Sequence, residues 1–177
     1  MAQSRKKIII GVILSVMIVS FPSYEKYFRQ AFDSIDDVSR AVEKEVTSQV
    51  VERVVDGDTL VLEGGEKVRL IGVDAPESVK PGSKTECFGK ESSEYLKQKL
   101  EGKIITLQKD TTDRDRYDRL LRYIYVDQEF INELLVSEGY ARAKSYPPDR
   151  REEERLWQAE QRAKEKGLGL WGKCSSP

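Results

Sequence analysis

Four charged side chains lie within twenty residues of one another: Asp58, Arg69, Asp74 and Glu77, in the segment DGDTLVLEGGEKVRLIGVDAPE (56–77). Carboxylate oxygens are hard donors and, with no His or Cys among them, they suit Ca²⁺ or Mg²⁺ better than a transition metal. Arginine binds phosphate oxygens through two parallel hydrogen bonds and stays charged. Each Asp taken singly also suits a turn. Together, the four indicate a site where a hard cation and a phosphate group meet.

The chain contains no histidine. This excludes His-ligated zinc, Ser-His-Asp catalysis and Cys-His catalysis. Proton transfer must then use carboxylates, Tyr, Lys, Arg or bound water. Glu77 is the candidate general base or water-orienting group. The alternative is a solvent-exposed loop residue after Pro76.

A second charged segment, KDTTDRDRYDR (109–119), ends at Arg119. A second guanidinium beside a cation would stabilise the charge that develops on phosphorus during phosphoryl transfer. The alternative for Arg119 is a surface salt bridge. Tyr117 and Tyr146 are candidates for nucleotide contact, because an aromatic face stacks on any base.

A β-hairpin is the element that must position the first group. Two short alternating apolar runs, 60–62 and 68–73, flank Gly64-Gly65, which is a hairpin signal. A hairpin sets the start of its first strand beside the end of its second. We therefore expect Asp58 and Asp74, sixteen positions apart, to meet in space.

The remaining pattern predicts short strands and helices in one domain. Strands are expected at 47–55, 104–107, 120–126 and 140–143, in addition to the hairpin. Helices are expected at 88–101, 129–138 and 149–166, the last with Leu156, Trp157 and Ala163 facing inward. This order indicates an α+β domain. Five curled strands can close into a small barrel of the oligonucleotide-binding type.

The N-terminus reads as an export segment. Basic residues at 5–7 precede a 14-residue apolar run at 8–21, so residues 1–23 are expected to be a signal peptide or an uncleaved signal anchor. The run is short for a full membrane span of about 20 residues. Residues 24–46 have apolar positions at helical spacing, which predicts a stalk helix or a loosely ordered linker.

The net charge of the chain limits how it could bind nucleic acid, and its two cysteines raise the question of a disulfide. The 177 residues carry a net charge of −1, and residues 50–177 hold 23 basic against 25 acidic residues. A nucleic-acid partner must therefore meet a local basic patch. The two cysteines, Cys87 and Cys174, are expected to form a disulfide if the domain is exported. Two unrelated thiols are the alternative.

The motifs DGDT, RLIGVDAPE and DRYDR, with Tyr123 soon after, resemble those of the staphylococcal nuclease (thermonuclease) family. The resemblance covers about residues 50–172. It implies a five-stranded oligonucleotide-binding-type β-barrel with about three helices, in a domain spanning 47–177. It also implies a calcium-dependent endonuclease that hydrolyses DNA and RNA with low sequence specificity. No obligate protein partner is implied, and we expect an exported monomer, attached to the membrane if residues 1–23 are retained.

The family's site residues carry over position by position. The resemblance implies catalytic roles for Arg69, Glu77 and Arg119. It implies calcium ligation by Asp58, Asp74 and the main-chain carbonyl of Ala75. It implies nucleotide contact by Tyr117 and Tyr146, although the alignment slips by about one residue at Tyr146.

Two positions depart from the family pattern. Ala75 replaces the Thr of the best-known member, which leaves a carbonyl ligand intact. Asp118 precedes Arg119 where members usually have Gly. Asp118 adds negative charge near a phosphate site and calls for a left-handed backbone, which Asp tolerates better than most residues.

Two other functions are consistent with this architecture. One is a non-catalytic nucleic-acid or protein-binding barrel tethered to the membrane. The other is a membrane-bound adaptor whose stalk is the interacting element. Both would be expected to lose the acids and arginines that this chain retains.

Overall fold

The computed structural model describes residues 29–30, 46–78 and 85–175 of the chain. The chain divides into Met1–Lys44 and Glu45–Pro177, and the fold below is that of the second unit. The predicted export segment (1–23) and nearly all of the predicted stalk (24–46) lie outside the described residues. Within the described ranges, no helix has the length and apolar character needed to cross a bilayer.

The described part of the second unit contains eight strands, most of them short. They are β1 (Val46–Asp56), β2 (Thr59–Leu62), β3 (Lys67–Leu70), β4 (Val73–Asp74), β5 (Ile104–Gln108), β6 (Leu120–Val126), β7 (Glu129–Phe130) and β8 (Arg142–Ala143). Five of them pair in the order β3-β2-β1-β5-β6, and a parallel pairing of β3 with β6 closes the ring. The predicted five-stranded barrel is thus confirmed.

The length of β1 makes closure possible. Its first half, 46–50, pairs with β5, and its second half, 51–56, pairs with β2. The register with β2 shifts between Val51 and Arg53 and again between Val54 and Asp56. Such irregularities bend a strand and increase its twist. One bent strand can therefore serve two neighbours and carry the sheet round into a barrel.

Apolar side chains of the strands fill the barrel. Leu60, Val68, Leu70, Ile105 and Ile124 are all fully buried. Full burial of a side chain of this size stabilises the fold by about 1.5–3 kcal/mol before conformational entropy is counted. This core fixes the strands whose ends carry the candidate site.

Four helices surround the barrel in the described residues. They are α1 (Gly89–Leu100), α2 (Ile131–Ser137), α3 (Glu153–Glu165) and the four-residue α4 (Leu170–Lys173). The three longer helices correspond to the predicted ones, but the predicted start of α3 at 149 is wrong, because the helix begins at Glu153. The predicted start of α2 at 129 is wrong, because Glu129–Phe130 pair with β6 as β7. Asp127 and Gln128 both have positive φ in the connecting turn, as two-residue hairpins require.

Trp157 does not face inward as predicted: it is 53% exposed. The buried stripe of α3 consists of Leu156, Ala159, Glu160 and Ala163. These positions follow the pattern i, i+3, i+4 and i+7, so they share one face of the helix. Trp157 lies about 100° away from Leu156 around the axis, since a turn has 3.6 residues.

The predicted hairpin of β2 and β3 is present, but its second strand is shorter than expected. Gly64 and Gly65 make the turn with positive φ. β3 ends at Leu70, and Gly72 has a φ of 74°. The chain therefore changes direction, and β4 pairs with β8 instead of continuing the hairpin. The single strand predicted across 68–73 is wrong for this reason.

Cys87 and Cys174 are joined by a disulfide. The bond links the segment just before α1 to the residue that follows α4. It spans 87 positions of the sequence, so two distant segments of the domain are held together covalently.

Candidate active site

Most of the predicted site residues line one polar cavity of about 290 Å³. The acidic lining residues are Asp56, Asp58, Asp74, Glu77 and Glu86, and the basic ones are Arg69, Arg119 and Arg142. Ala75, Pro76 and Tyr146 complete the lining. Of the residues predicted for catalysis, metal binding or nucleotide contact, Tyr117 alone lies outside it.

Arg69 is the group around which Asp58 and Asp74 come together. Arg69 and Asp58 are both buried and form an ion pair. The Arg69 Nη2 donates to the carbonyl of Val73 at 3.1 Å and lies 3.6 Å from Asp74 Oδ1. Asp58 Oδ2 also accepts from the main-chain nitrogen of Ala75 at 3.0 Å. Asp58 thus contacts the residue next to Asp74 directly, although the β2–β3 pairing ends at Arg69.

Asp56 supports the loop that precedes β2. One of its carboxylate oxygens accepts from the main-chain nitrogen of Asp58 at 3.1 Å. Burial raises the pKa of the Asp56 carboxyl above its usual value, and the nearby Arg69 only partly offsets this. Gly57, between the two acids, has no room for a side chain: a Cβ would lie 2.5 Å from that of Ala75.

Arg119 is held by Asp115, a residue that the sequence analysis did not select. Asp115 accepts from the main-chain nitrogen of Arg119 at 3.0 Å and from its Nε at 2.8 Å. The Arg119 Nη2 lies 2.6 Å from the same carboxylate. The Arg119 Nη1 reaches Thr59 Oγ1 at 3.4 Å, and that hydroxyl donates to Asp58 at 3.0 Å. Both predicted arginines therefore belong to one network around Asp58.

The hydrogen bonds to Asp115 also determine the direction in which the pKa of its carboxyl is shifted. Burial by itself would raise the pKa of its carboxyl. The hydrogen bonds from Arg119 and from the main-chain nitrogen of Tyr117 outweigh burial, so the pKa lies below its usual value. Asp115 is therefore a charged partner that orients the Arg119 guanidinium. Its signal in the sequence is its position four residues before Arg119 in DRDRYDR.

Asp118 has the left-handed backbone that the departure from Gly called for, with a φ of 62°. Its side chain is 87% exposed, and its carboxylate lies 3.5 Å from Arg114 Nη1. The Asp118 charge is therefore directed toward Arg114.

The main chain of Glu77 is tied to Glu86. The Glu86 nitrogen donates to the Glu77 carbonyl at 2.9 Å. The Glu86 carboxylate accepts from the Glu77 nitrogen at 3.2 Å. Gly89, at the start of α1, packs closely here, since a Cβ on it would lie 2.5 Å from the Glu77 carbonyl oxygen. Glu77 is thus presented to the cavity by a constrained segment.

The two tyrosines occupy different positions. Tyr146 lines the cavity. Tyr117 is 63% exposed, and the guanidinium carbons of Arg116 and Arg119 lie 4.8 Å and 5.4 Å from its ring centroid. Cation–π contacts of this kind hold the ring beside Arg119. Tyr117 therefore offers an aromatic face at the margin of the site.

Two further basic residues, Arg142 in β8 and Lys144 directly after β8, were not selected from the sequence. The Lys144 Nζ donates to Asp74 Oδ1 at 2.8 Å, across 70 positions of sequence. Arg142 lies opposite Asp74 in the β4–β8 pairing and lines the cavity. No local pattern indicates either residue, because their place depends on the pairing of two-residue strands far apart in the chain.

The donor set suits a hard divalent cation. Five carboxylates and three arginines line the cavity, which leaves a formal charge of −2 that such a cation would balance. The donors are oxygen atoms, as Ca²⁺ and Mg²⁺ prefer. In the part of the chain that the structure describes, no three acidic or cysteine side chains converge as a ready-made metal cluster.

Comparison with known proteins gives consistent results. A family model described as staphylococcal nuclease homologue matches residues 67–173. A thermonuclease of Staphylococcus hyicus is 36% identical over 94% of this chain and 98% of its own length. A thermonuclease of Staphylococcus intermedius is 40% identical over 70% of this chain and 76% of its own. Endonuclease YncB of Bacillus subtilis (strain 168) is 37% identical over 74% of this chain and 64% of its own. The chain belongs to the staphylococcal nuclease family.

Proposed function

We propose that this chain is a calcium-dependent endonuclease that hydrolyses phosphodiester bonds of DNA and RNA with low sequence specificity. The observation that carries the proposal is the convergence of Asp58, Asp74, Arg69 and Arg119 on one polar cavity with Glu77. The names of the relatives, thermonuclease and endonuclease, support the same reaction class.

In this proposal, each group has a role that follows from its chemistry. Arg69 and Arg119 bind non-bridging oxygens of the scissile phosphate, and their fixed charges stabilise the negative charge gained at pentacoordinate phosphorus. Because Asp58 and Asp115 already orient these guanidinium groups, little reorganisation is needed. Glu77 orients the attacking water and accepts its proton. Tyr117 and Tyr146 pack on the nucleotide without reading the base.

Asp58, Asp74 and the carbonyl of Ala75 would hold the cation. When bound, Ca²⁺ supplies Lewis acidity and positive charge at the phosphate. Asp56 keeps the Asp58 loop in place through its hydrogen bond to the Asp58 nitrogen.

We also propose that the domain works outside the cytoplasm as a monomer. The disulfide supports export, since such bonds persist in oxidising compartments. The basic and apolar residues of the N-terminus support either a membrane anchor or a cleaved signal. Fractionation of expressing cells, followed by mass measurement of the released protein, distinguishes these two forms.

The test is digestion of plasmid and single-stranded DNA with added Ca²⁺, then with chelator. We expect calcium-dependent cutting that is abolished in Asp58→Ala and lowered by about 100-fold or more in Arg119→Ala, a loss typical of removing a transition-state contact. The nuclease activity of Glu77→Gln is compared with that of Glu52→Gln, which makes the same change at an exposed position of β1. A folded wild type that cuts nothing with any divalent cation would favour the non-catalytic binding module.

A further inference from the structure

Arg142 is the third arginine of the cavity, and the roles assigned above do not use it. Its main chain is fixed on both sides. The Asp74 and Arg142 Cα atoms are partners in the β4–β8 pairing. The main-chain nitrogen of Ala143 donates to the carboxylate of the buried Glu160 at 3.1 Å, and that of Lys144 donates to the Gly72 carbonyl at 3.0 Å. The arginine therefore belongs to a rigid strand at the edge of the site.

Arg142 differs from the neighbouring basic residues in having no direct ion-pair partner among the described residues. Arg69 is paired with Asp58, Arg119 with Asp115, and Lys144 with Asp74. Within the described residues, the Arg142 guanidinium makes no ion pair and no hydrogen bond, although it is half-buried and lines the cavity. A guanidinium kept partly out of water without a carboxylate is suited to bind an anion.

The position of Arg142 indicates which anion. Arg69 and Arg119 share one network through Thr59 and Asp58, and this network accounts for the scissile phosphate. Arg142 lies outside that network, on the strand that faces Asp74. A nucleic acid strand brings a second phosphate close to any phosphate held in the site. Resting on the proposed function, we infer that Arg142 binds the phosphate adjacent to the scissile one.

The first experiment compares substrates that differ by one phosphate. Thymidylyl-thymidine has only the scissile phosphate, and the same dinucleotide with a terminal phosphate at its 5′ or 3′ end has one more. We expect the wild type to prefer one phosphorylated form by about 10- to 100-fold in kcat/KM, as one charge-assisted contact provides. In Arg142→Gln the preference should fall to about onefold, mainly through KM. Arg53→Gln, an exposed change on β1, should keep it.

The second experiment does not require cleavage. A fluorescent oligothymidylate is titrated in chelator at several salt concentrations. Loss of one phosphate contact should reduce the slope of log K against log salt by about 0.7 in Arg142→Gln, with no change in Arg53→Gln. If the wild type cuts no nucleic acid, the proposed function fails, while this slope still decides the role of Arg142.

Two outcomes overturn the inference: an Arg142→Gln protein that retains the phosphate preference, or one that retains the wild-type salt slope. Thermal melting by circular dichroism shows whether the variant is folded. If it is not, Arg142→Lys decides, because it keeps the charge but loses the two-pronged geometry. If Arg142→Lys keeps the full preference for the substrate with a terminal phosphate, Arg142 does not bind that phosphate through two hydrogen bonds. A reduced preference in Arg142→Lys supports such a contact.

Discussion

Glu77 and Glu86 contact each other twice: the Glu86 nitrogen donates to the Glu77 carbonyl at 2.9 Å, and the Glu77 nitrogen donates to the Glu86 carboxylate at 3.2 Å. Cys87 follows Glu86 directly, and its disulfide to Cys174 ties this segment to the end of α4. The candidate base therefore contacts a segment that is linked covalently to the residue after α4.

We predict that the double change Cys87→Ala and Cys174→Ala lowers both stability and turnover. Opening an 87-position loop costs up to about 4–5 kcal/mol in the chain-entropy model, which urea unfolding measures. Loosening Glu77 should reduce kcat by about tenfold with a smaller change in KM. Wild type reduced with dithiothreitol should behave like the double variant. An unchanged kcat in the folded variant would show that the disulfide does not position Glu77.

Asp115→Asn should weaken catalysis without removing any group that touches the substrate. The amide keeps the shape of the side chain but loses the charge that orients Arg119. We expect kcat/KM to fall by about 10- to 100-fold. Asp113→Asn is the matched control, because that carboxylate pairs with Arg122, which does not line the cavity. Equal effects of the two changes would contradict the role of Asp115.

The lowered pKa of Asp115 also predicts how the stability of the domain changes with pH. The pKa of Asp115 is lower in the folded protein than in the unfolded chain, because the hydrogen bonds from Arg119 and Tyr117 outweigh burial. Its contribution is therefore fully present above the unfolded pKa of about 3.9 and is lost as pH falls through the lower folded pKa. The free energy of unfolding of Asp115→Asn should fall less steeply below about pH 4 than that of wild type. Parallel urea titrations against pH measure this, and identical slopes would refute it.

Replacing Asp118 with Gly, the residue that family members usually have at this position, should stabilise the domain. Its φ of 62° is left-handed, which costs a residue with a side chain about 1–2 kcal/mol, and Asp somewhat less. We expect Asp118→Gly to stabilise the domain by about 0.5 kcal/mol and Asp118→Ala to destabilise it by about 1 kcal/mol. Nuclease activity should stay within about threefold in the Gly variant, because the carboxylate lies toward Arg114. A large gain in activity would instead show that Asp118 repels the substrate phosphate.

Lys144 should oppose cation binding. Its Nζ lies 2.8 Å from Asp74 Oδ1, so a cation that takes this oxygen must displace the ammonium group. We expect Lys144→Met to tighten Ca²⁺ binding by about fivefold, since one like charge is removed beside the ligand. Calorimetric titration of the protein without nucleic acid measures the affinity, with the exposed Lys103→Met as control. Weaker binding in Lys144→Met would contradict the competition.

Local sequence patterns predicted a strand or helix correctly where no turn residue interrupted the run. The run LLRYIYV predicted a strand at 120–126, as the structure has it. Prediction failed where a single residue redirected the chain. Gly72 ends the run that was expected to continue to Val73, and the turn at Asp127–Gln128 converts the expected start of a helix into β7.

The sequence by itself determined the class of chemistry. With no histidine, and with carboxylates and arginines at fixed spacings, oxygen ligation of a hard cation and phosphate binding were the chemistry that the residues allowed. Only the tertiary structure decided which other side chains join the carboxylates and arginines of the site. Asp115 orients Arg119, Lys144 contacts Asp74, and Arg142 lines the cavity. The contacts made by β8 depend on the pairing of strands about seventy positions apart, and periodicity within a short window carries no information about such distant partners.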